Sequence, residues 1–351
     1  MPVRPRQFKA LFALLPLRLA IVLAAFVLAG CGAVGLTESK FGALEIDWQE
    51  IHLNPEAPKQ LKLGVLEYQG GLSLSSDAGN LGGLSGLVLT PKGEGFIAVT
   101  DRSDLLRATF LFGKDGDLEG LANASLQRLR DIDGKYISNR PDNRDQDAEA
   151  ITRRADGSYL VSFEVTHRVL HYEDLSAQPS LFPMPPGLKK APRNGGLEAM
   201  TLLPDGRTLV LTEMYRTNDQ DTADYIGWLL DAEGESLGQI YWPASGLYRP
   251  AGLAALPNGD VLLLQRRYTV AGGMGMRLAQ IPAAQIKPGA RMLDLELARM
   301  APPLSVDNFE GLAVHPDPAG GWTIYLLSDD NFNPLQRTLL LRFHLPEKNL
   351  N

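Results

Sequence analysis

The sequence predicts an all-β chain folded as a β-propeller of about six blades, and three observations carry that expectation. Glycine (35 residues) and proline (24 residues) are frequent, as short strands joined by tight turns require. One strand-turn-strand unit recurs along the chain, and no segment keeps a helical period of apolar residues over several turns. The first unit runs from Leu84-Ser85-Gly86-Leu87 to Thr100-Asp101-Arg102, and the second from Ala148-Glu149-Ala150-Ile151 to Ser162-Phe163-Glu164. The third joins Leu197-Glu198-Ala199-Met200 to Thr212-Glu213, and the fourth joins Pro250-Ala251-Gly252-Leu253 to Gln265-Arg266. The fifth joins Phe309-Glu310-Gly311-Leu312 to Ser328-Asp329. Asp156-Gly157, Asp205-Gly206 and Asn258-Gly259 lie between the apolar runs of units two to four, and such pairs mark hairpins because the turn needs positive φ.

The two polar positions of a unit keep a nearly constant separation. Glu149 and Glu164, Glu198 and Glu213, and Ala251 and Arg266 are each 15 residues apart, Ser85 and Asp101 are 16 apart, and Glu310 and Asp329 are 19 apart. Equal spacing puts these residues at equivalent points of equivalent hairpins. The units begin 64, 49, 53 and 59 residues apart, compatible with blades of about 40 to 50 residues plus loops. The alternating run from Leu63 to Leu74 is expected to supply a further blade and to close the ring with Thr338 to Leu345. Gly272-Gly273-Met274-Gly275 has no helix after it and reads as a flexible connection.

Ahead of the repeats, Arg4, Arg6, Lys9 and Arg18 precede the apolar run from Leu19 to Gly30. This run is shorter than the about 20 residues a membrane span needs, so it reads as a signal peptide. Leu28-Ala29-Gly30-Cys31 resembles the lipobox of bacterial lipoproteins, and that resemblance implies a lipidated Cys31 as the mature N-terminus, anchored in a lipid bilayer. The expected organisation is a signal peptide over residues 1–30, a lipidated tether over 31–43 and one β-propeller domain over 44–351. The domain then sits in the cell envelope, and Gly32 after Cys31 favours the outer membrane if the cell is Gram-negative. Cys31 is the single cysteine, so the domain has neither a disulfide nor a cysteine metal site. Loss of the four basic leader residues takes the formal charge from −7 to −11. Such a surface repels phosphate backbones, which argues against nucleic acid as a partner, and is compatible with bound cations.

The usual catalytic motifs are missing. There is no Gly-x-Ser-x-Gly elbow, no Arg-His-Gly, no His-Glu-x-x-His and no phosphate-binding loop. His52, His167, His171, His315 and His344 are scattered, and the pair His167 and His171 reads as ordinary strand residues. What recurs is carboxylate. Glu149, Glu198 and Glu310 open one strand of their units, and Asp101, Glu164, Glu213 and Asp329 end its partner. Oxygen ligands of this kind suit a hard cation, Ca2+ above all, and equivalent positions on successive blades converge on the propeller axis. The same glutamates would equally serve to accept backbone N–H bonds or pair with arginine, locking neighbouring blades together. Unit four departs from the pattern, with Ala251 and Arg266 in place of acids. Arg266 is suited to neutralising the acids or to holding an anionic substrate in two-point fashion, and Arg102, Arg168 and Arg267 are further anion-binding candidates.

Asn194-Gly195-Gly196-Leu197-Glu198-Ala199, Pro204-Asp205-Gly206-Arg207-Thr208-Leu209 and Glu213 resemble the phytase-like family described as having esterase-like activity. So do Asn308-Phe309-Glu310-Gly311-Leu312, Ser328-Asp329-Asp330-Asn331-Phe332-Asn333 and Gln336, and Gly83-Leu84-Ser85-Gly86-Leu87 with Thr100-Asp101-Arg102. Glu149-Ala150 and Glu198-Ala199 stand where that family usually has Glu-Gly. The resemblance and the repeated acids together imply a hydrolase of phosphate or other esters. Glu149, Glu198, Glu310 and Arg266 are then the candidate catalytic residues, with Arg102, Arg266 and Asn331 binding substrate. The same three glutamates with Asp101, Glu164, Glu213 and Asp329 are the candidate Ca2+ ligands. A non-catalytic propeller that binds a ligand or protein, and a calcium-dependent lactonase, are the alternatives.

Overall fold

A computed structural model describes residues 42–79, 81–139, 145–218 and 223–349. The leader and Cys31 lie outside the described residues. Four strands come first: β1 (Gly42–Ala43), β2 (Asp47–Glu50), β3 (Lys62–Leu63) and β4 (Leu66–Ser75). Five antiparallel sheets account for the strands of the described residues, each a blade. Blade one is β5 (Leu84–Leu89), β6 (Gly95–Thr100), β7 (Asp104–Phe112) and β8 (Leu118–Arg128), with β1 at its outer edge. Blade two is β9 (Ala148–Arg153), β10 (Tyr159–Phe163), β11 (Arg168–Tyr172) and β12 (Ser180–Phe182). Blade three is β13 (Leu197–Leu202), β14 (Thr208–Arg216), β15 (Tyr225–Leu230) and β16 (Ser236–Trp242). Blade four is β17 (Arg249–Ala255), β18 (Val261–Thr269), β19 (Gly273–Ile281) and β20 (Leu295–Met300). Blade five holds β21 (Asn308–Pro316), β22 (Trp322–Asp329) and β23 (Thr338–Leu345), completed by β4 and β2. Helical geometry among the described residues is confined to short 3-10 turns such as Pro186–Lys190.

The first strands of the blades, β5, β9, β13, β17 and β21, contact one another in sequence, and β21 returns to β5. The ring therefore has five blades where about six were expected. The correction concerns the run from Leu63 to Leu74. It does close the ring, because β4 pairs with β23, placing Leu74 opposite Thr338 and Glu67 opposite His344. It adds the fourth strand of blade five and makes no blade of its own. A second correction concerns the Gly272 to Gly275 connection. Gly273, Met274 and Gly275 are ladder residues of β19, paired with Thr269, Tyr268 and Arg267.

Packing explains why the blade strands are apolar on both faces. In β6, Phe96 and Ala98 face a core shared with blade five, whereas Ile97 and Val99 face a core shared with blade two. This is the two-residue alternation of a strand, directed at two neighbours rather than at one core and solvent. The same division recurs between blades two and three, three and four, and four and five. Each hydrophobic core is thus an interface between blades, so closing the ring and burying apolar area are one event.

Candidate functional site

Each first strand carries a β-bulge at the same point. Ala148 pairs with Phe163 and Ala150 with Ser162, leaving Glu149 without an opposite number. Glu198, Ala251 and Glu310 are skipped in the same way, and in blade one the break falls between Leu84 and Leu87, at Ser85. A bulge re-aims its extra side chain. Here it brings Glu149, Glu198 and Glu310 together, with one oxygen of each lying within 4.8 Å of the others.

The residue after each bulge must be small, because neighbouring first strands touch there. A Cβ on Gly86 would lie 2.6 Å from the Ile151 amide nitrogen, and one on Gly252 would lie 2.7 Å from the Glu310 carbonyl. Alanine is accommodated at Ala150 and Ala199, both buried. Beyond this ring, Leu87, Ile151, Met200, Leu253 and Leu312 are all buried and line one cavity at the opposite end of the strands. The acids therefore stand above an apolar floor.

The matching position of each second strand is charged: Asp101 and Glu164 directly follow β6 and β10, Glu213 and Arg266 lie three residues before the ends of β14 and β18, and Asp329 ends β22. Arg266 Nη2 lies 2.9 Å from Glu198 Oε1, 3.2 Å from Glu310 Oε1 and 3.3 Å from Glu213 Oε1. Its Nη1 donates to Asn308 Oδ1 at 3.2 Å, and Asn308 Nδ2 donates to Glu310 Oε1 at 2.8 Å. The fourth blade, lacking both acids, thus supplies the counter-charge for the third and fifth. Asp147, two residues before Glu149, forms a second trio of oxygens with Glu149 and Glu164. Glu164 Oε1 also accepts backbone N–H bonds from Gly195 and Gly196 (2.7 Å for the latter), tying blade two to blade three.

Burial in this cluster opposes ionisation. Burial, then Glu310 and Asp147, pushes the Asp101 carboxyl up to about 7. Glu164 is pushed up to about 7, by burial despite its two backbone donors, and Asp329 to about 9, by burial and then Glu310. Burial likewise holds Glu149 and Glu198 well above the usual carboxylate range, Glu149 with further repulsion from Glu198 and Asp147. Arg266 favours its charged form more than usual: burial works against it, and Glu310, Glu198 and Glu213 outweigh that. Local geometry agrees. Ser85 Oγ lies 3.0 Å from Asp101 Oδ1 and 3.1 Å from Glu310 Oε2. Its single hydroxyl proton serves only one of them, so the other pairing needs a carboxyl that carries its own proton.

Of the remaining sequence candidates, Asn331 and Arg267 line a pocket of about 1020 Å3 whose wall includes Arg266 and Glu213. Arg102 is not in that wall and stacks on the Phe332 ring, 3.5 Å from its centre. Arg168 is engaged structurally, 3.7 Å from Asp131 and 3.8 Å from Asp145. His171 is a β11 residue held by Ser158, and His167 lies in the preceding turn against the Pro192 carbonyl. Sequence reasoning passed over Asp147 although its register is readable, since it precedes Glu149 as Asn308 precedes Glu310. Arg249, also in the pocket wall, holds the same register two residues before Ala251 and was passed over too, whereas Arg216 and Arg337 share no such register.

A closed ring of five antiparallel blades with a buried carboxylate cluster at one axial mouth defines the class: an all-β propeller with an acidic axial site. Residues 79–332 match the phytase-like family described as "Esterase-like activity of phytase", and the chain belongs to that family. Similar solved structures include the PQQ-bound aldose sugar dehydrogenase of Streptomyces coelicolor, at 14% identity over 86% of this chain and 99% of that one, with a TM-score of 0.44. The α-L-arabinofuranosidase of Podospora anserina matches at 12% identity over 78% and 94%, with a TM-score of 0.48. A gluconolactonase of Xanthomonas campestris matches at 9% identity over 87% and 96%, with a TM-score of 0.40. No curated protein matches the sequence.

Proposed function

We propose that the protein is a hydrolase of phosphate or other esters that works with a Ca2+ ion held by the axial carboxylates. The observation that carries this reading is a charge imbalance. Arg266 serves Glu198, Glu213 and Glu310, while the trio Asp147, Glu149 and Glu164 forms no ion pair with a base among the described residues. The donors fit the ion: they are hard oxygens, clustered and buried, of the type Ca2+ gathers in sets of about six to eight. Asp147, Glu149 and Glu164 would hold it, with Glu149 common to both trios. A bound cation would polarise an ester or phosphoryl oxygen. Arg266 stands between the acids and the pocket and orients an anionic group there. Asp101, pushed up to about 7 and outside the ligand trio, suits the exchange of protons with a leaving group or water near neutral pH.

The test is turnover of phosphate-ester and carboxyl-ester chromogenic substrates by the purified protein, with Ca2+ or with chelator. Hydrolysis is expected with Ca2+, and Glu149→Gln is expected to lower its rate at least about 100-fold while leaving the unfolding temperature at or above that of the parent. Equal rates with and without Ca2+ would sink the metal reading. A second reading, a binding propeller without catalysis, draws on the interblade bonds of Glu164 and Arg266. It is favoured by Ca2+ binding without turnover of any ester.

We further propose that the chain is an envelope lipoprotein anchored through Cys31. Cys31→Ser is expected to move it from the membrane fraction to the soluble fraction. Retention in the membrane fraction would show the leader to be an uncleaved anchor.

A further inference from the structure

The large pocket has two chemically distinct parts. Arg216, Arg249, Arg266, Arg267 and Arg337 line it, against two acids, Glu213 and Asp307. Their own contacts leave donors unused. Arg267 donates to the Tyr248 hydroxyl at 3.1 Å and to Thr269 Oγ1 at 3.3 Å, and Arg216 bonds the Tyr225 hydroxyl with its guanidinium over that ring. Neither has a carboxylate partner among the described residues. Arg249 lies 3.6 Å from Glu213 and Arg337 lies 3.5 Å from Asp307, both long for charge-assisted bonds. With up to five N–H donors on each guanidinium, this wall offers the donor set that an oxyanion requires.

The other part is apolar and open to solvent. Leu247 is 65% exposed, Tyr268 66% and Leu335 90%, and Met274 and Pro302 line the same cavity. Scattered exposed apolar side chains are ordinary, but these converge on one pocket directly beside its arginines. They come from the loop before β17, from the hairpin of β18 and β19, from the loop between β20 and β21, and from the loop between β22 and β23, so four separate stretches of chain build the lip.

We propose that this pocket takes an amphiphilic ester, with an oxyanion among Arg216, Arg249, Arg267 and Arg337 and an apolar body against Leu247, Tyr268 and Leu335. The inference deepens the ester-hydrolase reading by naming the substrate class, and it rests on that reading only for turnover. The pocket selects against two simpler ligands. A bare anion forgoes the apolar lip, and a neutral hydrocarbon leaves the arginines unpaired.

The test is calorimetric binding of hexyl phosphate, below its micellar concentration, compared with inorganic phosphate and hexanol. Each methylene fully buried in the lip tightens binding about fourfold, so hexyl phosphate is expected to bind at least about tenfold more tightly than inorganic phosphate, with hexanol showing no saturable binding. Leu247→Ser with Leu335→Ser changes two exposed side chains and is expected to erase that preference while leaving inorganic phosphate binding unchanged. Arg267→Gln is expected to weaken both anions. Sedimentation of the Cys31→Ser chain with phosphatidic acid vesicles separates the sources. Binding that the double substitution abolishes identifies a membrane lipid, and hexyl phosphate binding without vesicle binding identifies a soluble ester. Equal affinity for hexyl and inorganic phosphate, or a preference that survives the double substitution, would overturn the inference. Turnover without chain-length preference leaves the hydrolase reading standing alone, and chain-length-dependent binding without turnover leaves the pocket assignment standing alone.

Discussion

Replacing Arg266 with leucine is expected to destabilise the protein by about 3 kcal/mol at pH 8, the scale seen when one partner of a buried ion pair is removed. The guanidinium is shared by Glu198, Glu213 and Glu310, contributed by blades three and five. Without it these buried acids keep their mutual repulsion, Glu198 and Glu310 lose their charge partner, and Glu213 is left with Arg249 at 3.6 Å. They can escape by taking up protons, which is easy at pH 5 and costly at pH 8. The loss should therefore be smaller at pH 5, and Ca2+ should recover part of it at pH 8. Urea unfolding followed through the buried Trp228 and Trp242 measures this directly. A loss below about 1 kcal/mol, or one identical at the two pH values, would mean that the axial acids are not ionised against Arg266.

The chelated wild-type protein is expected to lose stability as pH rises from about 5 to 9, and Ca2+ is expected to restore it. The folded carboxyls of Asp101 and Glu164 titrate at about 7 and that of Asp329 at about 9. In the unfolded chain such groups release their protons near pH 4. Across the interval the native state binds more protons than the unfolded state, so stability falls with pH. The contribution is complete below about pH 4, declines by about 1.4 kcal/mol per pH unit for each such carboxyl, and is gone above the folded value. A cation replaces those protons, and at a hundredfold excess over its dissociation constant it contributes about 2.7 kcal/mol. Asp104 lies outside the axial acid set and is pushed up to about 7 by burial, in spite of Arg128 and Arg102. Its share of the decline has the same sign and is not recovered by Ca2+. Thermal unfolding at pH 5, 7 and 9, with chelator or 1 mM Ca2+ (an amount of the order needed for that excess), distinguishes the cases. A melting temperature at pH 9 that ignores Ca2+ would remove the metal site.

The repeat register carried much of this architecture. Hairpins of equal length in a closed ring must put equivalent residues at equivalent radii, so Glu149, Glu198 and Glu310 meet although they are remote in sequence. The bulges that aim them were not legible, because a bulge is a relation between two strands and leaves no mark in either one. The blade count slipped for a similar reason. The alternation of Leu66 to Leu74 says strand, but which neighbour it joins is decided by the open edge of β23. Arg216 and Arg337 escaped notice because arginines near strand ends and in loops look like any solvated charge until the ring folds them over one cavity, whereas Arg249 stood at a readable register position two residues before Ala251. Asp147 was within reach, through the two-residue alternation that links it to Glu149.

Blade five is assembled from both ends of the described chain, and this orders the route by which the ring forms. Blades two, three and four are each contiguous meanders whose contacts are local, and local contacts form quickly. The last blade must bring Leu74 to Thr338 across most of the sequence, a loop closure with a large entropic cost that only the final two interblade cores offset. Until then the edge of β23 and the apolar faces flanking blade five stay open to water. Ring closure is therefore the expected slow step of folding. Because the acids of blades one and five meet only across that seam, the complete axial cluster is the last feature of the molecule to exist.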